Sequence, residues 1–263
     1  MNIVCVIPAR YKSSRFPGKP LADICGKPMI WWVYEQCKKV KEFSKVIVAT
    51  DDERIISACR ELGMCVEMTS DTHLTGTDRV AEIASKVPAD LYVNVQGDEP
   101  LVQPDEIKKV FQPFLSKSCN VQISNLMTRI IDPVEVCNPT VVKAITRADN
   151  IGLYLTRAAA PHPKGTSSYS FYKQLGIYAF TKEALAFYSE YGKTHGKAKN
   201  EKIEDVEMLR FMENGWSVQF IEAEESSVAV DTLSDLEKVI SIIKNRTMNS
   251  KERYYDKTVM FRC

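Results

Sequence analysis

Four cations stand within ten residues near the start of the chain: Arg10, Lys12, Arg15 and Lys19, interleaved with Ser13, Ser14 and Gly18. Arginine grips phosphate with a two-pronged fork, and lysine brings a mobile point charge. Gly18 lets the backbone come close to an anion. A merely solvated basic loop would show the same composition. Its position argues for more, because the apolar run 1–8 reads as a buried strand and the loop leaves the end of it. A second cluster is Asn94-Val95-Gln96-Gly97-Asp98-Glu99-Pro100, again directly after an apolar run. Magnesium takes one or two protein carboxylates and completes its shell with substrate phosphates and water. Asp98 alone could be an ordinary turn residue; at one sheet edge with the basic loop it becomes a candidate metal ligand. Asp231 closes the apolar run 228–230 in the same way, and it could equally cap the helix that follows.

Weaker signals lie between these. Thr75-Gly76-Thr77-Asp78-Arg79 leads into a helix and suits an anion or a ribose. Lys143 ends an apolar run, and Arg157 follows Leu-Tyr-Leu-Thr. Glu201, Glu204 and Glu207 are spaced by three, which places them on one face of a helix, a face that is often simply solvated. Neither GxxxxGK[ST] nor GxGxxG occurs, so the loop is neither a P-loop nor a dinucleotide fingerprint, and nicotinamide chemistry is disfavoured. No histidine has a readable nucleophilic partner among its neighbours.

The elements that must position these groups alternate. Apolar runs at 1–8, 45–49, 65–68 and 91–95 read as strands; 28–40, 53–62 and 78–86 read as helices. This order predicts an α/β fold with a parallel sheet covered on both faces. Ligands of such sheets bind outside the carboxyl ends of the strands, where the polar loops after Ile7, Ala49 and Val95 fall. Further strands are expected at 121–127, 141–145, 175–180 and 217–223, and helices at 182–191, 203–212 and 234–244. The stretch 192–200 reads as mobile, and 246–263 as a tail of unknown role.

Bulk composition narrows the class. The 263 residues carry 35 Lys plus Arg against 34 Asp plus Glu, so general attraction to nucleic acid or membrane is not expected. The eight cysteines form no CxxC pair, which argues against zinc. No cleavable leader and no run of about 20 apolar residues is visible. Buried thiols in a reducing cytoplasm are the expectation.

Taken together, the segments resemble the 3-deoxy-manno-octulosonate (Kdo) cytidylyltransferase family, or CMP-Kdo synthetases. The likeness runs through Ile7-Pro8-Ala9-Arg10, Ser13, Arg15 and Pro17-Gly18-Lys19-Pro20-Leu21, then Thr75 to Arg79 and Asn94 to Pro100. It continues in Val141-Val142-Lys143, Thr156-Arg157, Leu175-Gly176-Ile177-Tyr178, Glu204, Glu207, Leu209-Arg210 and Val230-Asp231-Thr232, covering about residues 1–245. It implies a Rossmann-like, mostly parallel sheet of the nucleotide-diphospho-sugar transferase type. Residues 1–245 would form one domain, with about 120–200 supplying a smaller α+β lobe for sugar covering and dimerisation. It implies CTP and an acidic sugar as substrates, Mg²⁺ as cofactor, a homodimer, and a product destined for lipopolysaccharide or capsule synthesis.

The resemblance also implies roles. Pro8, Ala9, Arg10, Ser13, Arg15 and Lys19 would bind nucleotide, bordered by Thr75, Gly76, Thr77 and Arg79. Asp98 and Asp231 would ligate magnesium, with Lys19 and Arg15 catalytic beside them. Gln96, Arg157, Gln174, Tyr178, Glu204 and Glu207 would face the sugar. The chain departs from the family pattern at Gln174, where histidine is usual, at Thr156 for serine, at Ala229 for glycine, and in a shortened 161–174 segment. These departures gather on the sugar side. They keep open the same chemistry on another acceptor, such as 8-amino-Kdo, a nonulosonic acid or a phosphonate. A catalytically inert nucleotide-binding scaffold is the reading of another class.

Overall fold

The computed structural model describes residues 1–12, 16–115, 121–165, 169–224 and 228–259. β1 (Ile3–Ala9) is buried along its whole length. Ile3, Cys5, Ile7 and Ala9 enter one core layer, while Val4 and Val6 enter the other. A strand apolar on both faces belongs in the middle of a covered sheet, and that is where it lies. After the 3-10 turn Lys19–Leu21 come the short pair β2 (Asp23–Ile24) and β3 (Lys27–Pro28), then α1 (Met29–Lys38). β4 (Phe43–Thr50), α2 (Glu53–Glu61), β5 (Val66–Met68), α3 (Gly76–Lys86), β6 (Leu91–Val95) and α4 (Pro104–Leu115) complete the alternating first half.

The second half contains β7 (Ile123–Arg129), α5 (Pro133–Cys137), β8 (Lys143–Thr146), β9 (Gly152–Thr156) and β10 (Tyr172–Phe180). It closes with α6 (Lys182–His195), α7 (Lys199–Glu204), α8 (Leu209–Glu213), β11 (Gln219–Glu222) and α9 (Leu233–Val259). The main sheet runs β11-β7-β10-β6-β1-β4-β5, with β8 and β9 attached through β10. β1 pairs in parallel with β4 and β6, β4 with β5, and β11 with β7. β10 is antiparallel to both of its neighbours on this path. The sheet is therefore mostly parallel, with a single reversed strand inserted.

That reversal shapes the site. β6 stops at Val95, opposite Ile177, so the first half of β10 extends past the carboxyl ends of the parallel strands. The β8–β9 hairpin hangs on this extension. Between Gln174 and Tyr178 the strand bulges against β7. Asn125, fully buried, ties the bulge down by donating from Nδ2 to the carbonyls of Leu175 and Ile177, both at 2.9 Å. Bulges re-aim the side chains of a strand, and here they turn it toward the loop after β6. Gly176 has no substitute there, because a Cβ would stand 2.7 Å from Gln96 Cγ.

Several expectations change. The segment 120–200 is not wholly a separate lobe, since β7 and β10 belong to the main sheet. The stretch 192–200 is ordered by the end of α6 and the start of α7. The single helix expected at 203–212 is broken at Asp205, whose φ of 50° is left-handed. Glu207 therefore leaves the face that carries Glu201 and Glu204. The helix expected to end at 244 continues to Val259, so most of the supposed tail is helical. Among the described residues no helix is long and apolar enough to cross a membrane. Cys5, Cys37 and Cys59 are buried free thiols as expected, but Cys25 and Cys137 are exposed.

A buried ion network joins α3 to α6, α7 and α8. Arg210, fully buried, donates to Glu201 at 2.7 and 2.8 Å, to Asp78 at 3.3 Å and to the Tyr188 carbonyl at 3.0 Å. Burial opposes its charge, but Glu201, Tyr188 and Asp78 outweigh that and raise its pKa. Removing the cation would strand two carboxylates without water. Arg210→Ala should cost about 3–5 kcal/mol of stability, read from urea unfolding, whereas a change under about 1 kcal/mol would mean the network is no more than a surface pair.

Candidate active site

The loops after β1 and β6 leave neighbouring parallel strands, so they emerge side by side. Their backbones are close enough that a Cβ on Gly97 would meet the Pro8 carbonyl at 2.9 Å. The basic loop is closed at its base by a hydrogen bond from Gly18 N to the Tyr11 carbonyl, 2.8 Å. Gly18, with φ 73°, packs on the Tyr11 ring, and Arg54 lies 3.2 Å over the same ring. Lys19 then begins the 3-10 turn. Its ammonium reaches Asp98 at 2.7 Å and Asp231 at 3.3 Å. Burial alone would lower the Lys19 pKa; the two carboxylates outweigh it, and the pKa is raised.

Asp231 arrives from far along the chain. Val230 N donates to the Asp98 carbonyl at 2.9 Å, docking the late segment on the loop after β6. Val230, Val239 and Ile243 pack with Ile24, Met29 and Leu101, so α9 holds that segment in place by apolar burial. Asp231 is not the cap of α9. Asp235 accepts from the backbone of both Asp231 and Thr232 and from the Thr232 hydroxyl. The Asp231 carboxylate is thereby left to face Lys19.

Two cavities meet here. One, of about 370 Å³, is lined by Pro8, Ala9, Arg10, Lys12, Lys19, Thr75 and Gly76. The other, of about 670 Å³, is lined by Gln96, Arg157, Gln174, Tyr178 and Asp231 among others. Gln96, Asp98, Asp205, Val206 and Glu207 line both, so Asp98 stands in the shared wall. The first cavity gathers Arg10, Lys12, Lys19 and Lys197 beside the carboxylates Asp98, Glu201, Asp205 and Glu207; the second has carboxylates in excess of its cations Arg157, Lys173 and Lys238. An anionic ligand in the first and a polyhydroxylated one in the second would touch at Asp98.

Most residues singled out from the sequence converge on these cavities, but not all keep the role expected. Ser13 and Arg15 lie outside the described residues. Arg79 does not border the smaller cavity: it is 1% exposed, bound to Asp51 at 2.8 Å, Thr69 Oγ1 at 2.7 Å and the Ser70 carbonyl at 3.0 Å. Glu204 does not line the larger cavity; its carboxylate accepts from Thr156 Oγ1 at 2.7 Å and Arg157 N at 2.8 Å. The N-terminus of α3 does not offer a free anion site. Gly76 N and Thr77 N donate to Glu207 at 2.9 and 3.0 Å, and the Thr77 hydroxyl binds the same carboxylate. Burial lifts the Glu207 pKa despite these donors.

Arg157 lines the larger cavity but spends its guanidinium on backbone. It donates to the carbonyls of Glu204 at 2.6 Å, Pro139 at 3.0 Å, Asp205 at 3.3 Å and Thr140 at 3.4 Å. Lys143, buried behind it, holds the carbonyls of Asn138, Val141 and Arg157, and burial lowers its pKa. Together these cations clamp the hairpin lobe to the turn after α7. Gln174 donates to Asn125 Oδ1 at 2.7 Å, which sets it beside the bulge. Tyr178 is buried among Glu207, Glu99 and Asp98, and burial first, then those charges, raises its pKa.

Sequence reading missed three cations, among them Lys238 at the rim of the larger cavity. Lys197, paired with Asp205 at 2.6 Å, lines the smaller cavity, and Lys173, paired with Glu135 at 2.7 Å, lines the larger. Lys197 carries no local signal, because only the break at Asp205 brings its turn to the cavity. Gly176 inside a strand pattern was a signal that β10 bulges there, and it bears on Lys173.

A two-carboxylate magnesium site can be tested against this geometry. Among the described residues no cluster of three or more His, Cys, Asp or Glu could hold a metal. Yet Asp98 and Asp231 already bracket one cation, the Lys19 ammonium. A pair of aspartates sharing a cation beside a basic loop fits Mg²⁺, which draws the rest of its ligands from substrate and water.

The cytidylyltransferase family model matches residues 4–252. The chain belongs to the cytidylyltransferase family. Among curated cytidylyltransferases, the 3-deoxy-manno-octulosonate cytidylyltransferase of Geobacter metallireducens is 41% identical, over 91% of this chain and 97% of that protein. That of Geobacter sulfurreducens is 42% identical over 93% of this chain and 100% of that protein. Among solved structures, a CMP:2-keto-3-deoxy-manno-octonic acid synthetase complexed with CTP superposes with a TM-score of 0.86. It is 36% identical and covers 94% of this chain and 100% of its own.

Beneath the smaller cavity, Glu82 accepts from Ser70 N at 2.9 Å, His73 Nε2 at 2.5 Å and Lys86 at 2.5 Å. Burial would raise its pKa, but Lys86, the Ser70 N–H and His73 lower it to about 2. A carboxyl whose pKa is depressed by folding stabilises the fold above its unfolded value and loses that contribution as pH falls through the folded value. The stability gap between wild type and Glu82→Gln should therefore be constant above pH 5 and close progressively from about pH 4.5 to about 2. Urea unfolding across that range checks it; a gap that widens in acid would contradict the assignment.

Proposed function

We propose that this chain transfers the cytidylyl group of CTP to the anomeric hydroxyl of Kdo, giving CMP-Kdo and pyrophosphate. The observation that carries the reading is the junction of the two cavities at Asp98, with Lys19 and Asp231 beside it. The likeness to a synthetase complexed with CTP supports the nucleotide, and the names of the relatives support the acceptor.

In this reading CTP lies in the smaller cavity. Pro8, Ala9, Thr75 and Gly76 border the nucleoside, and Thr77, fully buried and bound to Glu207, stands behind them and off the cavity. Arg10 and Lys19, with Ser13 and Arg15, hold the triphosphate. Asp98 and Asp231 would hold Mg²⁺, which supplies charge neutralisation at the phosphates and polarises the α-phosphorus when bound. Kdo lies in the larger cavity against Gln96, Gln174, Tyr178 and Glu207, with Arg157 shaping its wall. The sugar oxygen bonds to the α-phosphorus, the bond from that phosphorus to the β-bridging oxygen breaks, and the hydroxyl proton is lost to water. Lys19 and Arg15 stabilise the pyrophosphate charge as it develops. Most of the rate then comes from alignment and preorganised charge. A cytoplasmic homodimer belongs to the same reading; Ile131 and Val134, flanking the start of α5, are exposed apolar side chains suited to a second copy.

The test is pyrophosphate release from CTP and Mg²⁺ with Kdo, 8-amino-Kdo and a sialic-type acid, on protein whose mass in solution is measured. A dimer with fastest release on Kdo is expected. Asp98→Asn should fold normally and lose about a hundred- to a thousandfold in kcat. Release only with another acceptor would move the specificity to the Thr156 and Gln174 side of the cavity. CTP binding with no release for any acceptor would leave the chain a nucleotide-binding scaffold.

A further inference from the structure

The loop between β5 and α3 is built around one carboxylate. Arg10, in the smaller cavity, does not meet a side chain of that loop; its guanidinium donates to the backbone carbonyl of His73 at 3.0 Å. A carbonyl in a loop points wherever the loop lets it. Here the turn from Ser70 to His73 is closed at both ends by the same oxygen: Glu82 Oε2 accepts from Ser70 N at 2.9 Å and from His73 Nε2 at 2.5 Å. The Ser70 hydroxyl also meets the Thr72 hydroxyl at 2.7 Å and accepts from Thr72 N at 3.2 Å, filling the inside of the turn. Lys86 holds the other oxygen, Oε1, one helical turn along α3. An ionised carboxylate only accepts, so the proton on this bond is carried by Nε2 of the imidazole.

α3 supports the same loop a second time. Arg79, one turn before Glu82, holds Thr69 Oγ1 and the Ser70 carbonyl. The helix thus fixes the entrance of the turn with Arg79 and both its ends with Glu82. Neither His73 nor Glu82 lines the smaller cavity. Their contact with it runs through the loop backbone and Arg10.

We infer that Glu82 and His73 are positioning residues for nucleotide binding, clamping the turn so that the His73 carbonyl holds Arg10 in the orientation that receives the triphosphate. The inference rests on the proposed CTP site. His73→Ala releases one end of the turn and frees the carbonyl that Arg10 uses. His73→Gln keeps an N–H at the place of Nε2 and should keep the clamp.

The experiment is calorimetric CTP binding to the full chain with Mg²⁺, together with kcat and both KM values, for His73→Ala, His73→Gln and Arg10→Ala. His73→Ala should raise the Kd and KM for CTP about tenfold, the scale of one lost charge-assisted hydrogen bond. Its kcat at saturating CTP and its KM for the acceptor should stay within about twofold of wild type. His73→Gln should restore CTP affinity. If Arg10→Ala weakens CTP binding while His73→Ala does not, the clamp has no positioning role. Equal losses for Ala and Gln, or a fall in kcat with unchanged KM, would also overturn it. If Arg10→Ala binds CTP as wild type does, the placement of the nucleotide is wrong and the inference goes with it.

Discussion

One ammonium between two carboxylates ties this molecule together. Lys19, Asp98 and Asp231 come from loops far apart in sequence, and each is brought to the others by a different force. Lys19 follows β1 and Asp98 follows β6, so parallel pairing of those strands sets their loops side by side. Asp231 is delivered by the apolar cluster under α9 and by the bond from Val230 N to the Asp98 carbonyl. A cation with 13% of its side chain exposed needs such partners, and the carboxylates need the cation. In the proposed reading the arrangement is a poised one: a divalent ion bound with the phosphates would take the place of the ammonium between the carboxylates and leave Lys19 to the phosphates.

Around that centre, charges of both signs crowd the two cavities, with carboxylates in excess around the larger, while the whole chain stays near neutral, at a formal +1. Arg10, Lys12, Lys19 and Lys197 line the smaller cavity, and Asp98, Glu99, Glu135, Asp205, Glu207, Asp231 and Asp235 stand around the larger. Several of these charges are committed inside the fold. Glu207 occupies the N-terminus of α3, and Arg157 and Lys143 are spent on backbone carbonyls. These internal ties hold the wall between the cavities, and so fix where two ligands can meet. The smaller cavity also depends on groups outside it, since Arg10 rests on a carbonyl whose loop is held from α3.

The parts of this that were legible in the sequence are those set by period and punctuation. The apolar runs placed β1, β4, β5 and β6, and their order placed the loops holding Lys19 and Asp98 at one edge. The loop after β4 and the first turn of α2 have a different use from the other two: Asp51 braces Arg79, and Arg54 lies over Tyr11. Long-range devices were not legible. The reversed strand β10, its bulge on Asn125 and the left-handed Asp205 depend on pairing and packing that no local pattern encodes. Arg79 and Glu204 show the same limit from the other side. Each was expected at the ligand from the resemblance, yet the partners of both, Asp51 for Arg79 and Thr156 for Glu204, assign them to holding the fold together. The family itself was legible because the Lys19 and Asp98 motifs combine at a fixed spacing, and the matched span bears this out.

The central claim is that Asp98 and Asp231 form a cation site which Lys19 fills in the absence of metal. Calorimetric titration of Mg²⁺ into the nucleotide-free protein tests it most directly, comparing wild type with Lys19→Met and with Asp98→Asn. Removing the competing ammonium should tighten Mg²⁺ binding by about tenfold or more, equivalent to about 1.4 kcal/mol, and Asp98→Asn should abolish the heat. Mg²⁺ affinity unchanged or weakened in Lys19→Met, with Asp98→Asn behaving as wild type, would contradict the account.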